Sequence, residues 1–191
     1  MLEAARDLYI EHGFEATTVR MIAERAGLSP AGVFTTFADK RDILHHVRMA
    51  QNAALRVELA QAATRHDGPV RERVRALFRF AYAREWPNLP LVLAYIGASY
   101  GWSPETEAAM QADHAALFDA MRRMIDDGRR SGELREELDA EVAVELLYGI
   151  YLGNFRQAWS RGWSAEKTAD HVDRKLAMLF EGFELAGEAL A

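Results

Sequence analysis

The residues near the N-terminus with the most to offer chemically are two adjacent hydroxyls. They lie in the stretch "LSPAGVFTTFADK", Leu28 to Lys40. Thr35 and Thr36 follow Ser29, Pro30, Ala31 and Gly32 there, and no charged residue occurs before Asp39. Such a set has no thiol, imidazole or carboxylate, so it suits recognition and not catalysis. A threonine offers a donor, an acceptor and a methyl group. That combination fits base-pair edges in a DNA major groove, where the thymine methyl is also exposed. Neutrality is no obstacle, because base edges are read by hydrogen bonds and apolar contact while phosphates supply most of the affinity.

A second set is aromatic. Phe78, Tyr82 and Trp86 recur at i, i+4 and i+8; Tyr95, Tyr100 and Trp102 follow; Phe118, Met121, Tyr151, Phe155 and Trp159 come later. Any one of them can serve simply as core. Together, large rings with polar tips and adaptable methionine suit a pocket for a small apolar or aromatic ligand. His114 falls on an apolar stripe, where it can orient such a ligand or be a hydrogen-bonded core histidine. No two histidines are three or four residues apart, and no Glu is followed three residues later by His. Helical zinc pairs and di-iron motifs are therefore not found, and neither metal nor cofactor is expected. No nucleophile–base spacing or phosphate loop points to catalysis, so an all-helical enzyme is the alternative reading.

These residues sit in a chain of 191, half of them hydrophobic, which is enough for a sizeable core. The formal net charge of −6 argues against non-specific attraction of the whole surface to nucleic acid or anionic membrane. Cysteine is absent, which excludes disulfides and thiol catalysis and suits a reducing compartment such as the cytoplasm. The longest apolar run, "LPLVLAYIGA", is too short to span a bilayer and contains Pro90. Met1 is followed by "LEAARDLYIEHG", with no basic region before an apolar core, so no signal peptide is expected.

The elements that must position the two sets are helical throughout. Leu2, Ala5, Leu8 and Tyr9 stripe a first helix that stops at Gly13. Thr17 or Thr18 can cap a second, with Val19, Ile22, Ala23 and Ala26 inside and Gly27 as its left-handed terminator. Ser29-Pro30 opens a third in the cap-then-proline pattern. On a wheel, Val33, Phe34 and Phe37 gather on a bulky side that can pack, with Pro30 between; Ala31, Gly32, Thr35 and Thr36 form a small opposite side. Two short helices joined by a Gly-containing turn make a helix-turn-helix. A linking helix then runs from Asp39 to about Arg65, carrying His45-His46 on a solvated or hinge position, and "HDGP" (His66 to Pro69) breaks it. Val70 to Trp86, an all-round apolar Leu89 to Trp102, Ser103-Pro104 through Ile125 to the "SGEL" break, Asp139 to Trp159 and Ser164 to Phe183 complete about nine helices. The fold class is all-α: an N-terminal three-helix unit (1–46) joined by the linking helix to a larger helical bundle (47–191).

The segments "AARDLYIEHGFEATTV" and "TTVRMIAERAGLSPAGVFTTFADKRDIL" resemble the DNA-binding domain of the tetracycline-repressor (TetR) family of bacterial regulators, from Leu2 to about Leu44. The resemblance rests on a combination: the Thr pair, "IAERAG", the Ser start, aromatics at Phe34 and Phe37, and Lys40 opening the fourth helix. It implies that Thr18 and Arg20, beside Thr17, touch phosphates, that Ser29, Ala31, Gly32, Thr35 and Thr36 line the groove, and that Lys40 holds a phosphate. Phe34 stands where the family usually has Tyr; the packing is kept and a phosphate hydrogen bond of about 0.5–1.5 kcal/mol is lost. The family's basic arm ahead of the first helix is missing, which a longer native chain would explain. Residues 1–48 hold six basic and seven acidic side chains, so DNA binding must depend on local charge placement and be salt-sensitive.

The resemblance further implies a dimer formed by one side of Ala140–Trp159 and one side of Glu166–Leu185, around Gly149 and Gly153. Its two recognition helices would lie about 34–36 Å apart on a palindromic operator. It also implies a small-molecule effector, of unknown identity, bound among Phe78, Tyr82, Trp86, Tyr95, Trp102, His114, Phe118, Met121, Tyr151, Phe155 and Trp159. The expected function is a ligand-responsive transcriptional regulator, a repressor released by effector; a DNA-binding dimer with no effector is a further alternative.

Overall fold

The computed structural model describes residues 1–65 and 68–183. Among them are nine α-helices and one short 3-10 turn (Trp86–Asn88): α1 Leu2–His12, α2 Val19–Arg25, α3 Pro30–Phe34, α4 Lys40–Arg65, α5 Val70–Glu85, α6 Leu89–Ser99, α7 Pro104–Arg130, α8 Ala140–Ser160 and α9 Ala165–Phe183. The chain is all-α, as its periodicity predicts. His66 and Asp67 of the "HDGP" break, and Leu185, lie outside the described residues. No described helix is long and apolar enough to cross a membrane.

Side-chain caps fix where these helices begin. The Thr18 hydroxyl accepts from Met21 N–H at 3.2 Å, Ser29 from Gly32 N–H at 3.1 Å, Asp139 from Glu141 and Val142 N–H, and Ser164 from Lys167 N–H at 3.1 Å. Each satisfies an otherwise orphaned donor and stabilises its helix by about 1 kcal/mol. Between α2 and α3 the chain reverses at Gly27, whose φ of 68° lies in the left-handed region that favours a residue without Cβ.

Packing divides the chain into two units. One comprises Met1–Ala54 with Pro87–Asp113; the other comprises Leu55–Trp86 and the chain from His114 onward. Helix α4, 26 residues long, contributes to both.

In the first unit Ala5, Leu8, Tyr9, Ile22, Ala23, Val33, Phe37, Ile43, Leu44 and Val47 make one buried cluster, joined by Leu91 and Ala98 of α6. Full burial of each large aliphatic side chain contributes about 1.5–3 kcal/mol. The buried Tyr9 hydroxyl donates to Lys40 O at 3.1 Å, and burial pushes its pKa up, so the donor stays protonated. Helix α6 is less enclosed than its composition suggests. Leu89, Leu91, Val92 and Ala98 are buried, but Leu93 and Ile96 are half-buried and Gly97 is exposed. The helix ends at Ser99, and Tyr100 beyond it is 91% exposed.

The histidine pair also departs from expectation. His46 is exposed, whereas His45 is buried, with the Tyr95 hydroxyl 3.4 Å from its Nδ1 and the Trp102 ring 5.6 Å away. Adjacent helical residues point about 100° apart, so one member of the pair turns inward.

In the second unit α9 packs on α5 and on α8. Its inner stripe is Val172, Leu176, Phe180 and Phe183, and the facing elements bury Val74, Leu77, Phe78, Tyr82, Leu147 and Phe155. Arg79 donates to both Asp170 and Asp173, and Arg75 Nε lies 2.9 Å from Asp173. Gly128 in α7 is required by close approach: a Cβ there would stand 2.7 Å from Val70 Cγ2 and 2.9 Å from the Leu134 side chain.

Candidate functional site

The first unit presents α3 with its outward side bare. Val33 and Phe37 turn into the core, while Ser29, Pro30, Ala31, Gly32, Phe34, Thr35 and Thr36 are exposed. Phe34 is 55% exposed. The expected bulky packing side is therefore Val33 and Phe37 alone. A helix of five residues makes little more than one turn, and Phe34, one residue from Val33, is rotated about 100° away from it. The Thr35 hydroxyl donates to Gly32 O at 2.6 Å, so its proton is held by the local backbone, while the residue itself is exposed.

The neighbouring DNA-binding candidates divide. Thr18 and Arg20 are exposed at the start of α2. Thr17 is wholly buried: its hydroxyl donates to Leu8 O at 3.1 Å and Gly13 O at 2.8 Å, so it ties α1 to the loop and cannot reach DNA. Lys40 is also occupied. Its Nζ donates to Phe14 O at 2.8 Å and Glu15 O at 3.2 Å and lies 4.4 Å from the Phe14 ring centre, clamping the loop before α2 instead of standing free for a phosphate.

Cations elsewhere in this region are paired as well. Arg25 makes a two-pronged contact with Glu11 at 3.0 and 2.9 Å, which holds that carboxyl below the usual carboxylate range, and Arg6 bonds Asp7 at 2.7 Å. Arg20 and Arg41 are exposed and have no carboxylate in salt-bridge range among the described residues. Arg41, at the head of α4 beside Lys40, is the phosphate candidate that sequence reasoning missed; its place in the first turn after "ADK" was the available signal.

The model for bacterial regulatory proteins of the TetR family matches residues 1–47. The HTH-type transcriptional regulator YdeS of Bacillus subtilis (strain 168) is 30% identical over 154 residues, spanning 78% of this chain and 73% of that protein. The chain belongs to the TetR family. Another relative, the HTH-type transcriptional repressor AcnR of Corynebacterium efficiens, is 25% identical across 91% of this chain and 87% of its own. The crystal structure of a TetR/AcrR-family regulator from Thermobifida fusca superposes with a TM-score of 0.67 at 26% identity, over 92% of this chain and 93% of that one. Relatives of this TetR-family chain are transcriptional regulators, which is the function of the family.

The aromatic candidates fall into separate places. In the second unit the rings of Phe78, Tyr82, Tyr151 and Phe155 lie 5.0–6.3 Å apart, and the Tyr82 hydroxyl donates to Tyr151 O at 2.9 Å. The array continues through Tyr148 to Phe118 at 5.1 Å and to His114, which stacks on Phe118 at 5.7 Å. Tyr148 is a member that sequence reasoning missed; it precedes Tyr151 by three residues on the same stripe. Met121 is buried in α7 and Trp86 is half-buried. Tyr95 and Trp102 belong to the first unit, where their rings lie 4.7 Å apart beside His45. Trp159 is 59% exposed on α8 and is not part of the array.

A further exposed apolar surface runs along α8. Val142, Leu146, Gly149, Ile150 and Gly153, with Glu145 and Lys175, line an open groove of about 590 Å³. Leu146 is 46% exposed, Val142 48% and Met178 on α9 74%. A Cβ on Gly149 or Gly153 would meet nothing within 4 Å, so no contact among the described residues requires either to be glycine. No group of three or more His, Asp or Glu that could hold a metal occurs among the described residues.

Proposed function

We propose that this protein is a ligand-responsive TetR-family repressor that binds a palindromic operator as a homodimer and releases it on binding a small apolar or aromatic effector. The observation that carries the reading is the bare side of α3. Ser29, Ala31, Gly32, Phe34, Thr35 and Thr36 stand exposed on α3 and the residues that flank it, a stretch anchored by buried Val33 and Phe37. Thr18, Arg20 and Arg41 supply the flanking phosphate contacts in this reading, and residues 1–46 form the DNA-reading domain. The repressor sign is supported by the likeness to AcnR, itself a repressor.

Residues 47–191 carry effector binding and dimerisation. The effector would lodge against the half-buried part of the aromatic array, His114, Phe118, Tyr148 and Tyr151, with buried Phe78, Tyr82 and Phe155 behind it; ring edges, faces and a few polar tips there suit a planar or aliphatic molecule. The dimer would use the α8–α9 side bearing Val142, Leu146, Gly149, Gly153 and Met178. Glycine within a helix costs about 1 kcal/mol relative to alanine. Two of them one turn apart with open space above suit the close approach of a second helix.

Selection of bound DNA from a random pool should enrich an inverted repeat, and a compound screen against that DNA should find molecules that release it. Equal binding to random DNA would defeat the reading. The dimer has its own check. Leu146→Arg, which places a charge on the groove, should raise the dimer dissociation constant about tenfold or more in sedimentation experiments, because an unpaired charge at an apolar interface is costly.

A further inference from the structure

We propose that this protein reads its operator chiefly through thymine methyl groups, with Phe34 and the Thr35 methyl as the principal readers. The inference rests on the DNA-reading function above and names the base chemistry of that site. Its ground is what the exposed side of α3 contains and what it omits.

Each base is usually recognised in the major groove by a matching polar side chain: Arg or Lys on guanine, Asn or Gln on adenine, Asp or Glu on cytosine. None of these types occurs between Leu28 and Ala38. The hydroxyls that remain are partly committed. Ser29 Oγ accepts from Gly32 N–H as the helix cap, and the Thr35 hydroxyl gives its proton to Gly32 O at 2.6 Å. Beside the exposed Thr36 hydroxyl, the rest of the outward surface is apolar: Leu28 is 49% exposed, Phe34 55%, and Pro30 and Ala31 stand with them. The loss of water from these groups is favourable only against another apolar group, and thymine alone among the four bases presents one in this groove, its C5 methyl. Phe34 also lacks a hydroxyl. Without the hydroxyl its ring has no hydrogen bond to give a phosphate, and its exposed faces and edge are left for a methyl.

The test replaces thymine by uracil, which removes the methyl and keeps the base pair. On the operator recovered by selection, each thymine is exchanged for deoxyuridine symmetrically in both half-sites, and affinity is read by fluorescence anisotropy with the full-length protein. Burial of one methyl corresponds to about fourfold in affinity, so a symmetric exchange should weaken binding about fifteenfold at two or more positions. With Phe34→Ala the uracil penalty at one of those positions should shrink to within twofold, whereas Phe34→Tyr, which keeps the ring, should retain it. Phe34 is more than half exposed, so both variants should fold, and their melting curves report that directly. Uracil at every thymine with less than a twofold change overturns the inference and leaves the function standing. A pool from which no sequence is enriched overturns the function and the inference together. A full uracil penalty at every position in Phe34→Ala overturns the assignment of Phe34.

Discussion

Gly32→Glu should lower operator affinity at least about a hundredfold while leaving the fold as stable as before, or more so. The two halves of this outcome come from the same position. Ser29 caps α3 with Pro30 first, so Gly32 is the third residue of the helix, and its N–H is the one that the Ser29 hydroxyl accepts. A glutamate at that place completes a capping box, reaching back to the Ser29 N–H. It also replaces a glycine in a helix, worth about 0.5–1 kcal/mol. Space is tight at one point: the new Cβ would stand 3.3 Å from the Ser29 Oγ, so that small side chain must give by a few tenths of an ångström, and no other atom lies closer. Yet the carboxylate would stand on the bare side of α3, in the groove between two lines of phosphates. Like charges brought together across an interface cost several kcal/mol, hence the hundredfold or larger loss. Thermal melting and a gel-shift titration read the two effects separately. A variant that binds operator normally would mean that α3 does not enter the groove.

Phe155→Ala should cost about 3–5 kcal/mol of unfolding free energy, the usual range for emptying a fully buried aromatic position. Phe155 has no exposed surface, and its ring lies 5.0 Å from Tyr82 and 5.1 Å from Tyr151. Both neighbours would lose edge-to-face contact together with the buried area. Typical domains hold about 5–15 kcal/mol in all, so the variant should melt far earlier and unfold at much lower denaturant. The size of the loss also bears on the effector. A ring bordering an open pocket has fewer partners to lose, and a cost below about 1.5 kcal/mol would mark Phe155 as pocket wall and not core.

The helices themselves were legible because their ends carry local chemistry. Ser29-Pro30, Asp139 and Ser164 each announce a start, and Gly27 a stop, through hydrogen bonds and dihedral preferences that involve only near neighbours in sequence. What failed to read out was the orientation of side chains where no period applies. Thr17 and Thr18 are adjacent and chemically identical; only the placement of Leu8 O and Gly13 O decides that Thr17 turns inward and Thr18 caps α2. Phe34 was ambiguous because a wheel has little meaning over five residues. Lys40 was assigned to phosphate on family pattern, and the Phe14 and Glu15 carbonyls that hold it are 25 or more residues away in the chain. The aromatic candidates divided for a similar reason: Tyr95 and Trp102 follow Phe78 and Tyr82 closely in the chain, but which unit a segment joins is settled by contacts far apart in sequence.

The pairing of Arg6 with Asp7, Arg25 with Glu11 and Lys40 with backbone carbonyls has a consequence for how the molecule searches a chromosome. Non-cognate sequence is held almost wholly by cations set against phosphates, and here few are at liberty. Residence on such sequence should be brief and sliding short, with a shallow slope of random-DNA affinity against salt as the signature. Little of the protein would then be titrated away by the rest of the genome, and a small number of copies per cell would keep the operator occupied.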